Sequence, residues 1–501
     1  MRISLKSLVG WWMVSLASVS LTAAGDLRLV EAVKTGNTEA VRALLKQHVD
    51  VNAPQADGAT ALHWAAHRDD LTAADLLIRA GANVNAANDL GATPLYLACT
   101  NRNAAMVKKL VAAGANPNAA LLRGETVLME CARTGDVGAV TALVAAGAKV
   151  NAAESIYGQT ALMWAAAQQH PRIVEALLEV GADVRARSRS YTQNVETGNR
   201  GGGGEVSAVP RGGSTPLLFA ARVGDVESAR LLLAAGADVN DALPDGTSAL
   251  VIAAHSGQGA LGVLLLDKGA NPNAAEVGYT ALHAAVNRSD LALVKALLSH
   301  GANPNLRITK ASPARRDSND FQLPSKLIGA TAYLLAAKFV ESDIMRALAA
   351  GGADLKLVMP DGTTALMLAV GNGEPRARTD FTRRNETRRQ ICVCDGGIVE
   401  DENRVLEAVT VALAVGSDVN EVNKAGDTAM HSAAFLGFDK VVQLLADKGA
   451  DLNVKNKRGL TPLTTLTRPA NGRRGAAADD GDDSVASSST VALLRKLGAS
   501  E

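Results

Sequence analysis

The chain has 501 residues, 51 Lys and Arg against 51 Asp and Glu, a formal net charge of zero, and only 3% aromatic residues. Balanced charge leaves no global field to draw it onto nucleic acid or an anionic membrane, and so few aromatics cannot build the stacking platforms that read single strands. At this length an ordinary globular chain would divide into several domains.

The first element is not part of a fold. Arg2 and Lys6 make a positive start, Leu8 to Val19 is a short apolar stretch, and Thr22-Ala23-Ala24 or Ala23-Ala24-Gly25 offers small residues for cleavage. This pattern predicts a Sec-type signal peptide over 1–25. The stretch is too short to cross roughly 30 Å of hydrocarbon as an uncleaved anchor. No later segment is apolar for 18 residues, so the mature chain, 26–501, is expected outside the cytoplasm, periplasmic or extracellular, without a transmembrane span.

From Asp26 onward the chain repeats itself. A first unit reads D-L-R-L-V-E-A-V-K-T-G-N and then V-R-A-L-L. After it, T-A-L-H-W-A-A at 60–66, T-P-L-Y-L-A-C at 93–99 and T-V-L-M-E-C-A at 126–132 follow at intervals of 33 residues. The pattern returns at Thr160, Thr215, Ser248, Thr280, Thr331, Thr364, Thr428 and Thr461. Most units close on a G-A-x-x-N segment, such as G-A-N-V-N at 81–85 and G-A-D-L-N at 449–453. The Thr predicts an N-cap, and Pro94, Pro216 or Pro462 sits where a missing N–H costs nothing. A second helix is predicted from apolar spacing such as Ile173, Ala176, Leu177 and Leu178, ended by the Gly of G-A-x. His48 holds that Gly place in the first unit and is expected at positive φ.

A fixed period near 33 with a T-P-L-H-x-A core resembles the ankyrin repeat, and the resemblance covers nearly the whole chain after residue 25. It implies an all-α solenoid of helix-turn-helix units joined by β-hairpin loops. About twelve units fit between Asp26 and Glu501, with atypical first and last units as caps, in one elongated domain. The same resemblance assigns His63, His283 and His431 the fourth place of T-P-L-H, where the imidazole bridges neighbouring loops. Tyr96, Met129, Met163, Leu218, Val251, Leu334 and Met367 replace it elsewhere, so apolar packing is expected to hold the middle of the array. Trp64 and Trp164 occupy a column where the family has a buried Leu and are read as core. Glu130 is out of place in that column.

Four polar inserts break the register, near 187–213 and 307–328 on the hairpin side and near 371–401 and 468–488 between the helices of a unit. The first carries five Arg against two Glu over 185–213, the second five basic against two acidic residues, and 371–394 six Arg against three acidic residues. Arg suits bidentate capture of carboxylates. Arg315, Arg316, Arg383, Arg384, Arg388 and Arg389 are therefore the candidate partner contacts, beside the alternative of a merely solvated charge run.

Cys99 and Cys131 fall at equivalent places on adjacent first helices. A helix-packing distance of about 8–10 Å would forbid a bridge, so both are expected as small core residues. Cys392 and Cys394 sit in an insert without clustered His, which gives no zinc spacing. His67 and His255 fall in the variable column after Ala-Ala, five repeats apart, too far to share a site. No G-x-S-x-G, H-E-x-x-H, P-loop or EF-hand pattern occurs, and the acidic run Asp479-Asp480-Gly481-Asp482-Asp483 lacks alternating calcium ligands. No catalytic, cofactor or metal residue is assigned. The expected function is a non-enzymatic, monomeric protein-binding scaffold of the bacterial envelope or extracellular space. A ligand or enzyme site built by the inserts, from Arg383 to Arg389 with Cys392 and Cys394, is the alternative.

Overall fold

The computed structural model describes residues 26–197, 205–312, 323–371, 393–394, 397–398, 402–467 and 483–500. These divide into two compact units, one ending at Lys149 and the other beginning at Val150.

The first unit holds four helix pairs: α1 (Arg28–Lys34) with α2 (Thr38–Lys46), α3 (Ala61–His67) with α4 (Leu71–Arg79), α5 (Pro94–Thr100) with α6 (Ala104–Ala112), and α7 (Val127–Thr134) with α8 (Val137–Ala145). First helices pack on first helices, α1 on α3, α3 on α5 and α5 on α7. Leu62, Ala65, Ala66, Leu95, Ala98, Leu128 and Ala132 are fully buried between them. No pair has two apolar faces of its own to join, so burial comes from stacking.

The second unit continues the plan with α9 (Ala161–Ala167), α10 (Pro171–Glu179), α11 (Pro216–Val223), α12 (Val226–Ala234), α13 (Ala249–Ser256), α14 (Gly259–Asp267), α15 (Ala281–Asn287) and α16 (Leu291–Ser299). It goes on through α17 (Ala332–Lys338), α18 (Ser342–Ala350), α19 (Ala365–Val370), α20 (Glu402–Ala414), α21 (Ala429–Leu436), α22 (Asp439–Asp447), α23 (Thr464–Thr467) and α24 (Asp483–Lys496). A two-stranded antiparallel ribbon, β1 (Tyr191–Thr197) and β2 (Glu205–Arg211), stands between α10 and α11. A short pair, β3 (Val393–Cys394) and β4 (Gly397–Ile398), lies between α19 and α20.

Capping follows the sequence at most repeats but not at Thr215, whose hydroxyl donates to Asp241 instead of accepting from the first turn. The Thr93 hydroxyl accepts the Tyr96 N–H at 3.3 Å, and Thr126, Ser248 and Thr364 do the same for the residue three places on. Six of the second helices are capped too, by Asn37, Asp70, Asn103, Asp136, Asp225 and Asp290, each of which accepts the N–H three residues ahead, whereas His170, Gln258, Glu341 and Phe438 do not cap theirs. His48 adopts φ 57°, the left-handed conformation its place requires.

Units are tied along the chain by asparagine. The Asn85 amide donates to Gly114 O at 3.1 Å while its oxygen accepts the Asn116 N–H at 2.7 Å. Asn52, Asn118, Asn151, Asn273, Asn305 and Asn420 make the same two bonds to the next repeat. The closing Asn of G-A-x-x-N is therefore an inter-repeat tie, and the middle of the array does not rely on apolar packing alone. Hairpins are closed by a repeated backbone pair, Asn88 N–H to Ala92 O at 3.0 Å and Gly91 N–H to Asn88 O at 2.8 Å in one example.

The cysteine expectation is overturned. Cys99 on α5 and Cys131 on α7 form a disulfide with Cα atoms 4.7 Å apart. The expected distance was that between helix axes, whereas Cα atoms lie about 2.3 Å off each axis, so residues that face each other stand far closer. Both are fully buried among Ala98 and Ala132, whose small side chains permit the approach.

Replacing Cys99 and Cys131 by Ala is expected to lower the stability of the first unit by ~3.7 kcal/mol, the loop-entropy value for a loop of this length, read as a lower urea midpoint. Asn273→Ala, which removes a donor and an acceptor at one repeat boundary, is expected to cost about 1–3 kcal/mol, checked the same way.

Candidate protein-interaction face

The first helices leave a row of side chains on their outward side. In the first unit Trp64 is half-buried, its indole N–H donating to Gln55 Oε1 at 2.6 Å. Lys34 Nζ stands 4.8 Å from the ring centroid, and His67 meets the ring edge-on at 5.7 Å. The ring is thus anchored and covered by its own neighbours. Glu130 is 3% exposed. Arg133 closes on it with two bonds, Nη2 to Oε1 at 2.6 Å and Nε to Oε2 at 2.9 Å, and the Tyr96 hydroxyl donates to Oε2 at 3.4 Å. A carboxylate in an apolar column is tolerated because it is paired and hydrogen-bonded. Burial and the Glu130 charge push the Tyr96 phenol well above its ordinary range.

In the second unit Phe219 lies under the Arg222 guanidinium at 5.9 Å, and His255 sits beside Tyr279 at 6.3 Å. Trp164 is half-buried with its indole nitrogen out of contact with solvent and lacking a hydrogen-bond partner among the described residues. Its indole differs from that of Trp64 in this respect.

The hairpin tips carry residues the sequence reading had not selected. Leu90 and Leu122 are 67% and 77% exposed on adjacent hairpins, joined by the Leu122 N–H to Leu90 O bond at 3.2 Å. In the second unit Tyr157 and Tyr191, with ring centroids 6.1 Å apart, are exposed together. Their signal was legible in principle. Each of Leu90, Leu122 and Tyr157 stands three or four places before the capping Thr, a turn position that has no core within reach. Exposed aromatic and aliphatic side chains of this kind mark interaction surfaces.

Arg315, Arg316, Arg383, Arg384, Arg388 and Arg389 lie outside the described residues, as do Cys392, the predicted signal peptide and most of the acidic run after residue 478. The Cys394 backbone is placed, paired with Gly397. Among the described residues no group of His, Cys, Asp and Glu is arranged to hold a metal ion, and no helix is long and apolar enough to cross a membrane.

A family model described as Ankyrin repeats (3 copies) matches residues 29–121, 106–188, 217–308 and 399–468, more than half of the chain. The chain belongs to the ankyrin-repeat family. It is 29% identical over 339 residues to an E3 ubiquitin-protein ligase, KEG, of Arabidopsis thaliana, covering 66% of this chain and 17% of that one. It is 45% identical over 95 residues to a putative ankyrin repeat-containing protein of Treponema pallidum, covering 18% of this chain and 32% of the other. The chain thus spans a third or less of the curated relatives it matches. The ankyrin repeat domain of human ASB11 aligns with 49% of this chain and 98% of its own at 28% identity, with a TM-score of 0.40. Ankyrin arrays are protein-interaction scaffolds, and the surfaces described above are those such an array offers.

The ankyrin histidines are structural. The Thr280 N–H donates to His283 Nδ1 at 3.2 Å, so the proton sits on Nε2, which donates to Leu306 O at 3.1 Å. His63 and His431 make the same bridge to Ala92 O and Leu460 O. Burial lowers all three below the ordinary histidine value, His283 to about 4. A folded value below the unfolded one means that unfolding takes up protons. The stability these groups contribute is therefore complete above about pH 6.5 and is lost as pH falls toward about 4. For His283 alone the loss reaches ~3 kcal/mol. His283→Gln keeps the reach back to the cap N–H without titrating. Its unfolding midpoint is expected to fall less than that of the unaltered protein between pH 7.5 and 4.5.

Proposed function

We propose that this chain is a non-enzymatic scaffold that binds a protein partner outside the cytoplasm, in a bacterial envelope or the extracellular space, as a monomer and without nucleic acid. The observation that carries the binding reading is the set of exposed apolar and aromatic hairpin tips, Leu90 and Leu122 in one unit and Tyr157 with Tyr191 in the other, on a family scaffold that works by presenting such tips. Their exposure has no use in the fold, since none of them reaches the buried layer.

Two independent features support the location. The first 25 residues have the charge and apolar pattern of an export signal. The buried Cys99–Cys131 disulfide is a bond that persists in oxidising compartments and is rare in a reducing cytosol.

The basic inserts supply charge to the same reading. With a formal net charge of zero overall, an excess of basic residues on three inserts leaves the rest of the chain acidic. The partner surface this favours is acidic, met by Arg315 and Arg316 in one insert and by Arg383, Arg384, Arg388 and Arg389 in another, with the apolar tips giving area and the guanidiniums giving orientation. No cofactor or metal enters this function.

The test is capture of envelope proteins on residues 26–501 and on the variant with Arg383, Arg384, Arg388 and Arg389 changed to Ser. A partner held by the first and lost by the second is the expected outcome. Retention by both would move the contact to the hairpin tips, where Leu122→Asp and Tyr157→Asp should then abolish it. Capture by neither would favour a small-ligand site built by the inserts.

A further inference from the structure

Two of the inserts leave the array from hairpins, and both hairpins keep the root of an ordinary one. In an ordinary hairpin the Asn88 N–H donates to Ala92 O and the Gly91 N–H to Asn88 O, with a tight turn between. At the first insert the Ser188 N–H donates to Ser214 O at 2.9 Å and the Gly213 N–H to Ser188 O at 3.1 Å. At the second, the Ile308 N–H donates to Ala330 O at 2.9 Å and the Gly329 N–H to Ile308 O at 2.8 Å. The root bonds are unchanged while the chain between them has grown from a two-residue turn to the full length of an insert. A long loop closes its ends less favourably than a tight turn, a cost that the β1–β2 ladder at the first insert and the Ser312 N–H to Leu323 O bond at the second offset only beyond the root itself.

One residue in each inserted hairpin answers that deficit. Six places after the helix-ending Gly, just before the root, most ordinary repeats carry short residues, for example Ala87, Ala120, Ala242 and Val358, with Lys455 an exception. The inserted hairpins carry Arg187 and Arg307 there. Arg187 Nη1 donates to Gly213 O at 2.9 Å, on the returning strand of its own hairpin, and to Ala242 O at 3.1 Å on the next hairpin. Arg307 Nη1 donates to Gly329 O at 2.5 Å and to Val358 O at 2.8 Å, the same two positions one array segment later. Arg187 gains a third partner, the buried Asp241 carboxylate, which also accepts the Thr215 hydroxyl at 2.5 Å. Asp241 takes a place where neighbouring repeats have Ala86, Ala119 and Ala274.

We infer that Arg187 and Arg307 are positioning residues that lock the roots of the two hairpin inserts to the returning strand and to the following hairpin. A guanidinium suits this work because its planar Nη1 group holds two N–H donors in fixed directions, one for each carbonyl, and the group never loses its charge. The consequence is that the β1–β2 ribbon and the insert after residue 307 begin from fixed points in the hairpin row, so a partner binding them does not have to order their roots first.

Hydrogen exchange read by mass spectrometry on the full mature chain tests this. Because losing Arg187 alone would strand Asp241, the first variant is Arg187→Met with Asp241→Ala; the second is Arg307→Met, which strands no carboxylate. The first is expected to speed exchange of the Ser188, Gly213 and Ser214 amides at least tenfold while the root of the ordinary hairpin at Met359 and Gly362 keeps its rate. The second should do so at Ile308, Gly329 and Ala330 alone. Arg307→Lys, whose ammonium donors are not fixed in a plane, should fall between. Unchanged root exchange in both variants would overturn the inference, as would faster exchange at every hairpin together, which is the behaviour of a general stabiliser. If the first variant does not fold, the Arg307 pair decides by the same criteria.

Discussion

Each boundary between repeats needs one acceptor for an N–H and one donor for a carbonyl at a fixed spacing, and an asparagine side chain supplies both. That is why Asn85 or Asn273 can join its own repeat to the next with two short bonds, and why the same residue recurs at the same place. A solenoid has no long-range contacts to correct a misplaced neighbour, so its geometry is set boundary by boundary. The helices supply most of the buried area, but they would tolerate sliding. The asparagine bonds and the hairpin root pairs do not.

Where the tie is altered, other features appear. Arg185 stands in the ladder place before the first insert and reaches Gly236 O only at 3.4 Å, and it offers no acceptor at all. A surface groove of about 630 Å³, bordered by Arg185, Asp238 and Asp241, opens at that boundary. The Arg187 clamp lies beside it, so this boundary, which like the one at Lys356 lacks the asparagine, is held by a guanidinium and a buried carboxylate instead. In the first unit the Cys99–Cys131 bond adds a covalent tie between two first helices that already share an apolar layer. The fold therefore uses one common tie and supplements it locally.

The division of labour between the two sides of a repeat explains why the functional surface looks as it does. Buried places are mostly Ala, Leu and Val; among the polar groups there, His63, His283, His431 and Glu130 are satisfied by neighbours, whereas the Tyr333 and Thr363 hydroxyls find no partner among the described residues. Chemistry that the fold does not consume is left to the hairpin tips and the inserts. Leucine and tyrosine at the tips make a surface suited to another protein, in keeping with the interaction scaffold that ankyrin repeats form.

Much of this was written in the sequence. The period of 33, the capping Thr and the closing G-A-x-x-N fixed the helix pairs because each depends on bonds within a few residues: a cap reaches three residues on, and left-handed turns need Gly or, as at His48, a residue that accepts positive φ. The bridging role of His63, His283 and His431 was legible only through the ankyrin resemblance, because the bridge reaches the next hairpin, as from His63 Nε2 to Ala92 O. The Cys99–Cys131 disulfide was not, because it depends on which sides of two helices face one another and not on the distance between their axes. Nor was the pairing of Arg187 with Gly213, Ala242 and Asp241, since Gly213 is brought back only after an intervening insert and the other two belong to the next hairpin. Local bonding set the repeat by itself, whereas the stacking of one repeat on the next decided which side chains meet across it.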